Sequence, residues 1–259
     1  MDLQALLSDK YFRQHSWEFF LILEDILGIK KEEIYIKNFE ISDEQLTEIK
    51  EKYDKFVKQK IPIEYVLGYT YFMGERFFVN ENVLIPRPET EYLVKYALER
   101  ANRVDVIFDV GTGSWIIWIM LWKLTWKKVV LSDISEKALK IAEKNAKKVC
   151  PKCNFEFVLA DLWAHIKNYS GKKLICANLP YVDENFELDE YAQKEPSLAL
   201  FAPDEGLALY KKLLNQIQTR EFLFELTQRQ ATRLKKINPN FEVLPTCHQN
   251  IKILYGKKW

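Results

Sequence analysis

The sequence has few of the residues from which metal centres are built. Its 259 residues include three scattered histidines and four cysteines. Cys150 and Cys153 form a C-x-x-C pair, but no second pair accompanies it. A zinc site would have a second pair or histidines nearby. We therefore predict no metal and interpret the pair as a thiol-bearing loop between a helix and a strand.

A large net charge and long apolar runs are also missing. The net charge is +1, which predicts no strong non-specific attraction to nucleic acid. No apolar run approaches the roughly 20 residues of a membrane-spanning helix, and residues 1–9 show no basic segment followed by an apolar core. Cysteines without a disulfide framework in a long chain are typical of a reducing compartment. We therefore predict a cytoplasmic protein with no membrane association.

The first part of the chain predicts a small helical bundle. Apolar residues recur at helical spacing in residues 3–27, and Gly28 is a suitable residue to end that pattern. Ser42 and Gln45 have the spacing of a capping box. The predicted division is a helical domain at 1–68, a β-hairpin linker at 69–84 around Gly74, and a catalytic domain at 85–259.

Beyond residue 104, predicted strands and helices alternate. Such alternation indicates a mostly parallel sheet with helices on both faces. The fold class that we predict is therefore α/β. The strands are expected at 104–110, 129–131, 155–159, 174–177, 221–226 and 251–255.

A glycine-containing loop follows the first predicted strand of this region. The loop reads Asp109-Val110-Gly111-Thr112-Gly113-Ser114, and glycines let a backbone turn tightly and approach a ligand closely. Asp133 ends the next strand and can bind both hydroxyls of a ribose. A dinucleotide fingerprint would have a third glycine where Ile116 stands. After the third strand, Asp161 and Leu162 are placed to hold an adenine.

The most informative stretch is Asn178-Leu179-Pro180-Tyr181. It follows a buried strand, and ligands of open α/β sheets bind at the carboxyl ends of the strands. Two acceptors there, the Asn178 side-chain oxygen and the Leu179 carbonyl, would hold the two N–H groups of a planar amide or amino group. The Tyr181 ring would form a wall beside them.

The segment Ile85-Pro86-Arg87-Pro88-Glu89-Thr90-Glu91 is stiffened by two prolines. Thr90 is a good N-cap residue for the helix that follows. The charged side chains of Arg87 and Glu89 suggest that the segment lines a site.

Four segments, in their order and spacing, resemble the release factor glutamine methyltransferases, the HemK/PrmC family. The segments are Ile85–Glu91, Asp109–Ser114, Ser132–Ser135 and Asn178–Tyr181. Glu195-Pro196 and Asp204-Glu205-Gly206-Leu207 match as well, so the resemblance extends over nearly the whole chain. It implies a Rossmann-like, seven-stranded class I methyltransferase sheet with a final antiparallel strand, preceded by the helical bundle.

The resemblance also implies a reaction. The methyl donor is S-adenosylmethionine, which becomes S-adenosylhomocysteine. The acceptor is the side-chain nitrogen of the glutamine in the Gly-Gly-Gln motif of class I peptide-chain release factors. The implied enzyme is a cytoplasmic monomer that makes no direct contact with nucleic acid. The residues expected at the cofactor are Asp109, Gly111, Thr112, Gly113, Ser114, Trp115, Asp133, Asp161, Leu162 and Asn178. Those expected at the substrate are Asn178, Leu179, Pro180, Tyr181, Arg87 and Glu89.

Two departures from the family pattern leave alternatives open. Leu179 replaces a proline, and Asn-Leu-Pro-Tyr also resembles the rRNA adenine-N6 methyltransferases. Trp115 replaces a glycine, and an indole there would obstruct the cofactor. That obstruction would leave a binding protein of the same fold without methyl transfer. Trp118, Trp122 and Trp126 follow at helical spacing. A further hypothesis is that these tryptophans translate UGA codons that the source reads as glycine.

Overall fold

The computed structural model describes residues 3–36, 40–114, 116–151, 155–162, 166–217 and 221–257. The chain divides into two compact units. The first contains Met1–Gly68 together with Asp189–Lys194, and the second contains Tyr69–Leu188 and Glu195–Trp259. The hairpin and the sheet therefore belong to the same unit.

The first unit is helical, as its sequence predicts. Its core is an aromatic cluster in which the Phe12 ring stacks on Phe19 and the Tyr53 ring packs against both. Gly28 ends a helix with φ of 66°, and the Ser42–Gln45 capping box forms. Both predicted helix ends are confirmed. The helices are α1 (Leu3–Ser8), α2 (Lys10–Arg13), α3 (Ser16–Leu27), α4 (Lys31–Ile36), α5 (Asp43–Val57) and α6 (Ile63–Leu67).

The second unit contains a seven-stranded sheet. Its strand order is β10-β11-β9-β6-β3-β4-β5. Neighbouring strands run parallel except around β11, which is antiparallel to both of its neighbours. The predicted sheet with an antiparallel final strand is confirmed. The strands are β1 (Tyr69–Phe72), β2 (Glu75–Phe78), β3 (Val106–Val110), β4 (Lys128–Asp133), β5 (Glu156–Leu159), β6 (Lys173–Ala177), β7 (Val182–Asp183), β8 (Phe201–Ala202), β9 (Glu221–Thr227), β10 (Glu242–Pro245) and β11 (Ile251–Lys257).

Helices cover both faces of this sheet. On each face, a separate apolar cluster fills the space between the helices and the strands. The helices are α7 (Thr90–Ala101), α8 (Ile116–Thr125), α9 (Glu136–Val149), α10 (Ser197–Leu200), α11 (Pro203–Gly206), α12 (Ala208–Gln216) and α13 (Gln228–Ile237). Strands β1 and β2 form the predicted hairpin around Gly74. Because five neighbouring strands are parallel, their carboxyl ends lie along one edge of the sheet.

Part of the predicted tryptophan stripe differs from the structure. Helix α8 ends at Thr125, so Trp126 lies beyond the helix and its side chain is 76% exposed. Trp126 has φ of 58°, and its N–H donates to the Trp122 carbonyl at 2.8 Å. This left-handed residue after a helix occupies a position that glycine usually fills. Trp115 and the Trp118 side chain lie outside the described residues.

We predict that Trp126→Gly is more stable than Trp126→Ala. Both variants remove the contact between the Trp122 and Trp126 rings, so the comparison isolates the backbone. A left-handed conformation costs a residue with a Cβ roughly 1–2 kcal/mol, and the greater flexibility of unfolded glycine offsets part of this. Thermal melting should show a difference of about 1 kcal/mol. Equal stability, or a more stable alanine variant, would show that φ at 126 carries no strain.

Candidate active site

A cleft of about 210 Å³ lies in the second unit, at the carboxyl edge of the parallel strands. The strand register explains why it forms there. Val110 pairs with Ser132 and with Ala177, and Ala177 pairs with Phe224. The residues that follow these positions therefore lie side by side. The cleft is lined by residues of segments 82–87, 111–114, 133–135, 160–162, 178–180 and 196–199, and by Phe72, Thr90, Ile117, Ala138 and Leu209.

Gly111 begins the glycine loop in a conformation that only glycine adopts readily. Its φ is 74°, and a Cβ built on it would lie 2.7 Å from Leu179 Cδ2. Gly113 also has positive φ, but a Cβ there would meet nothing within 4 Å. The first glycine is therefore favoured by its positive φ and by the Leu179 methyl group beside it, and a Cβ at the second would face open space. Ser114 and Thr112 line the cleft beside them.

Asp133 lines the cleft and organises the loop. One carboxylate oxygen accepts the Gly113 N–H and the other accepts the Ser135 N–H, both at 2.8 Å. Burial raises the pKa of Asp133 above its ordinary value, although these backbone donors favour the charged form. The Ile134 N–H also acts on this carboxylate. Two oxygens offer about four lone-pair sites, so acceptor capacity is left for a ligand. The carboxylate is thus preorganised to accept hydroxyl hydrogens from a ligand.

Asp109 supports the loop from behind and is not among the lining residues. It is 1% exposed, and its carboxylate accepts a hydrogen bond from the Thr112 hydroxyl. Its carbonyl accepts from the Ser132 hydroxyl at 3.0 Å. Asp109 was expected to contact the cofactor directly, whereas the structure gives it a position underneath the loop. Buried carboxylates are stabilised by such hydrogen bonds.

Asn145 ties the glycine loop to the hairpin and was not predicted. This buried side chain of α9 donates to the Ser114 carbonyl at 3.1 Å and to the Phe78 carbonyl at 3.0 Å. Its oxygen accepts the Phe78 N–H at 2.6 Å. One carboxamide therefore fixes both the loop and strand β2.

Asp161 and Leu162 lie together at the cleft. Leu162 is buried and has φ of 50°. Asp161 is exposed and forms an ion pair with Lys212 at 2.7 Å. The apolar wall expected from Leu162 is thus present, with an exposed acid beside it.

Asn178 lines the cleft with its side chain oriented by hydrogen bonding. Its Nδ2 donates to the Thr90 Oγ1 at 3.2 Å, and none of the described residues donates a hydrogen bond to its Oδ1. Pro180 lines the cleft next to it. The side-chain oxygen Oδ1 is therefore the acceptor that Asn178 offers to a ligand.

The Leu179 main chain differs from the expectation that its carbonyl points freely into the cleft. Its N–H donates to the Tyr210 hydroxyl at 2.9 Å, and its carbonyl oxygen lies 3.0 Å from that hydroxyl. The same hydroxyl lies only 2.6 Å from the Glu225 carbonyl. A hydroxyl has a single hydrogen to donate. The nearer Glu225 carbonyl competes for it, so the Leu179 carbonyl retains acceptor capacity.

Tyr181 was expected to form a wall of the site, but it is not among the residues that line the cleft. Its hydroxyl lies 3.4 Å from Glu225 Oε1, and its carbonyl accepts from Gln230 Nε2 at 2.7 Å. Burial, followed by the charge of Glu225, raises the Tyr181 pKa above its ordinary value. The ring packs against the apolar cluster on that face of the sheet.

The proline-stiffened segment is anchored by Glu195, a residue that sequence reasoning did not assign to the site. The Glu195 carboxylate is buried, forms an ion pair with Arg87, and accepts the Ile85 N–H at 2.9 Å. Arg87 lines the cleft, and Glu89 does not. The Glu195-Pro196 signal in the sequence could have identified this partner.

Thr90 was predicted as an N-cap residue, and this is wrong. Thr90 is the first residue of α7, and the preceding Glu89 shows no side-chain capping bond. Thr90 is buried, and its hydroxyl accepts from Asn178. The Thr90 hydroxyl therefore binds Asn178 at the edge of the sheet and does not cap the helix.

Glu225 is the third residue at the site that sequence reasoning missed, after Asn145 and Glu195. It lies near the end of β9, is fully buried, and faces Asn178, Thr90 and Tyr181. Burial raises its pKa to about 7. In the sequence it is an acid between Phe224 and Leu226, inside the apolar part of the strand, and an acid at that position is a signal of a polar site.

Two further features concern the described residues as a whole. They contain no cluster of three or more histidine, cysteine or acidic side chains arranged for a metal ion. Cys150 is part of a disulfide, so the predicted free thiol at this position is wrong, and Cys153 lies outside the described residues. Within the described ranges, no helix has the length and apolar character needed to cross a membrane. The effect of Trp115 on the cleft stays a prediction, because that residue is outside the described part of the chain.

Comparison with solved structures supports the fold. The hMettl16 catalytic domain, solved with a MAT2A 3′UTR hairpin, superposes with a TM-score of 0.58 at 11% identity, over 86% of this chain and 84% of that chain. At this identity the likeness concerns the fold alone. The family model of ribosomal protein L11 methyltransferase (PrmA) matches residues 89–179.

Comparison with curated relatives is more specific. The release factor glutamine methyltransferase of Borreliella burgdorferi is 40% identical over 212 residues, 78% of this chain and 72% of the relative. That of Lactococcus lactis is 39% identical over 182 residues, 68% of this chain and 65% of the relative. The chain thus spans about two thirds of the length of these relatives. The matches favour the glutamine methyltransferase interpretation over the rRNA adenine alternative. Together with the fold, they show that this chain belongs to the release factor glutamine methyltransferase family.

Proposed function

We propose that this protein methylates the side-chain nitrogen of the glutamine in the Gly-Gly-Gln motif of class I peptide-chain release factors. The observation that carries the proposal is the oriented Asn178 carboxamide at a cleft beside a glycine loop and an acid. The curated relatives are named release factor glutamine methyltransferases, which supports the proposal. The cytoplasm is the proposed location, because release factors act there during translation.

The cleft suits S-adenosylmethionine as the cofactor. Gly113 has no Cβ, and the space beside its Cα is open, so a ligand can approach the backbone there. Asp133 offers a preorganised carboxylate. Leu162 provides an apolar wall of the cleft, and Asp161 provides an acid beside it. When bound, the cofactor supplies a methyl group made electrophilic by its sulfonium. We propose that Asp133 binds the ribose hydroxyls and that Leu162 contacts the adenine.

The substrate amide requires two acceptors. We propose that Asn178 Oδ1 accepts one N–H of the glutamine and that the Leu179 carbonyl accepts the other. An amide nitrogen is a weak nucleophile because its lone pair is delocalised. Holding both hydrogens orients that nitrogen, so the main contributions of the site are orientation and a preorganised polar environment. Pro180 restricts the backbone between the two acceptors and Tyr181.

The proposed division of labour follows the predicted domains. The helical domain at 1–68 would dock the release factor, and the domain at 85–259 would carry out transfer with the hairpin segment 69–84 before it. Arg87 and Glu89 are proposed as substrate contacts near the cleft. We propose that the enzyme acts as a monomer on a protein substrate without contacting nucleic acid directly.

We predict that Asn178→Ala abolishes most of the transfer while the protein stays folded. Loss of one preorganised polar contact to a reacting group lowers kcat by about a hundredfold or more. Transfer is measured as a mass increase of the glutamine-containing peptide of a purified release factor. Asn240→Ala is the matched control, because Asn240 is an exposed amide in the turn between α13 and β10. Turnover of Asn178→Ala at the parent rate would remove Asn178 from the mechanism.

We predict that Asp133→Asn weakens S-adenosylmethionine binding more than it slows transfer at saturating cofactor. A charge-assisted hydrogen bond contributes about 1.5–3 kcal/mol, which corresponds to about ten- to a hundredfold in Kd. Calorimetric titration measures Kd, and melting without ligand reports any loosening of the loop. An unchanged Kd would restrict Asp133 to a structural role. Failure of the parent protein to bind the cofactor would favour the binding-protein alternative connected with Trp115.

A further inference from the structure

Glu225 is an acid in a place where an acid is expensive. Its side chain is fully buried, and no lysine or arginine among the described residues forms an ion pair with it. Burying a charge without a counterion is strongly unfavourable. This unfavourable burial indicates that Glu225 has a role that an apolar side chain of similar size would not fill.

The strand register places Glu225 next to the proposed substrate amide site. Phe224 pairs with Ala177, so the following residues, Glu225 and Asn178, are neighbours across β9 and β6. Thr90, at the start of α7, faces both of them. The Tyr181 hydroxyl lies 3.4 Å from Glu225 Oε1, and Oε2 is buried without a hydrogen-bond partner among the described residues. The Thr90 and Asn178 side chains lie near enough to the carboxylate to lower its pKa.

These contacts have a direction. An ionised carboxylate only accepts hydrogen bonds, and a threonine hydroxyl has a single hydrogen. When Thr90 donates that hydrogen to Glu225, its oxygen can only accept on the side of Asn178. Asn178 meets this requirement, since its Nδ2 donates to Thr90 Oγ1 at 3.2 Å.

From this geometry, and resting on the proposed function, we propose that Glu225 is a positioning residue that fixes the orientation of the Asn178 carboxamide. The Glu225 carboxylate attracts the Asn178 NH₂ group, both directly and through the Thr90 hydroxyl. The NH₂ end of the carboxamide therefore faces the protein interior. Its Oδ1 then faces the cleft and accepts the N–H of the substrate. A flipped carboxamide would present N–H groups to the N–H groups of the glutamine, and that hydrogen bond would be lost.

Protonation of Glu225 removes the directionality. A neutral carboxyl can donate to Thr90, and the hydroxyl is then free to donate toward Asn178. Burial raises the Glu225 pKa to about 7, and the nearby charge of Glu89 also raises it, while the donors Thr90, Tyr181 and Asn178 lower it. The other titratable groups facing this site are Tyr210, whose hydroxyl donates to the Glu225 carbonyl, and Arg87, whose charge acts on Tyr181.

The first test compares kcat, KM and cofactor Kd for Glu225→Gln, Thr90→Val and Thr90→Ser. Glutamine can both donate and accept, and valine removes the hydroxyl, so we expect kcat to fall about tenfold in each. Cofactor Kd should stay within about twofold of the parent value. Thr90→Ser retains the hydroxyl and should retain kcat. The double variant Glu225→Gln with Thr90→Val should be no slower than either single variant, because both act through one hydrogen-bonded group.

The pH profile provides a readout that a merely structural role would not change. The parent kcat should decrease as pH falls through about 7, where Glu225 becomes protonated, and Glu225→Gln should lack this limb. Parent-like kcat together with a retained limb in Glu225→Gln would overturn the proposal. Melting curves of each variant confirm that the protein is folded.

A second test does not depend on transfer. In ¹⁵N-labelled protein the Asn178 side-chain NH₂ signal is assigned by its loss in Asn178→Ala. We expect this signal to shift with pH around 7 in the parent and to be insensitive to pH in Glu225→Gln. A pH-independent signal in the parent would overturn the proposal. If the parent transfers no methyl group but the signal shifts, the proposed function fails while the coupling of Glu225 to Asn178 stands.

Discussion

The parallel pairing of β3, β4, β6 and β9 is the constraint on which the site depends. Each strand is buried on both faces, so polar residues are confined to the strand ends and the loops beyond them. Parallel pairing directs those ends to one edge. The register then brings the glycine loop, Asp133, Asn178 and Glu225 together, although they are far apart in the sequence.

Much of this arrangement could be predicted from the sequence. Apolar runs with helices between them gave the strands of the sheet, and short motifs at the strand ends gave the residues of the cleft. The capping signals at Ser42 and Gly28 were reliable because each depends on contacts within a few residues. Strand β10 and helix α13 were not predicted. The first contains a proline, and the second has only Gln230, Ala231 and Leu234 buried.

The remaining errors concern contacts between distant segments. Threonine is a residue type typical of helix N-caps, but the Thr90 hydroxyl accepts a hydrogen bond from Asn178, 88 positions later. The Leu179 carbonyl was expected to be free, and the Tyr210 hydroxyl lies against it. Glu195 reaches Arg87 across more than a hundred positions. Local patterns contain no information about such partners, since tertiary packing alone decides where a buried polar group finds its hydrogen bonds.

The three hydrogen bonds of Asn145 have a consequence for the modularity of the protein. A single carboxamide joins strand β2 to the carbonyl of Ser114, so the shape of the glycine loop depends on a hairpin about thirty residues upstream. A chimera that exchanges the hairpin for that of a relative would have to keep the main-chain position of Phe78. A substitution that moves the hairpin backbone at Phe78 is therefore expected to alter the glycine loop as well.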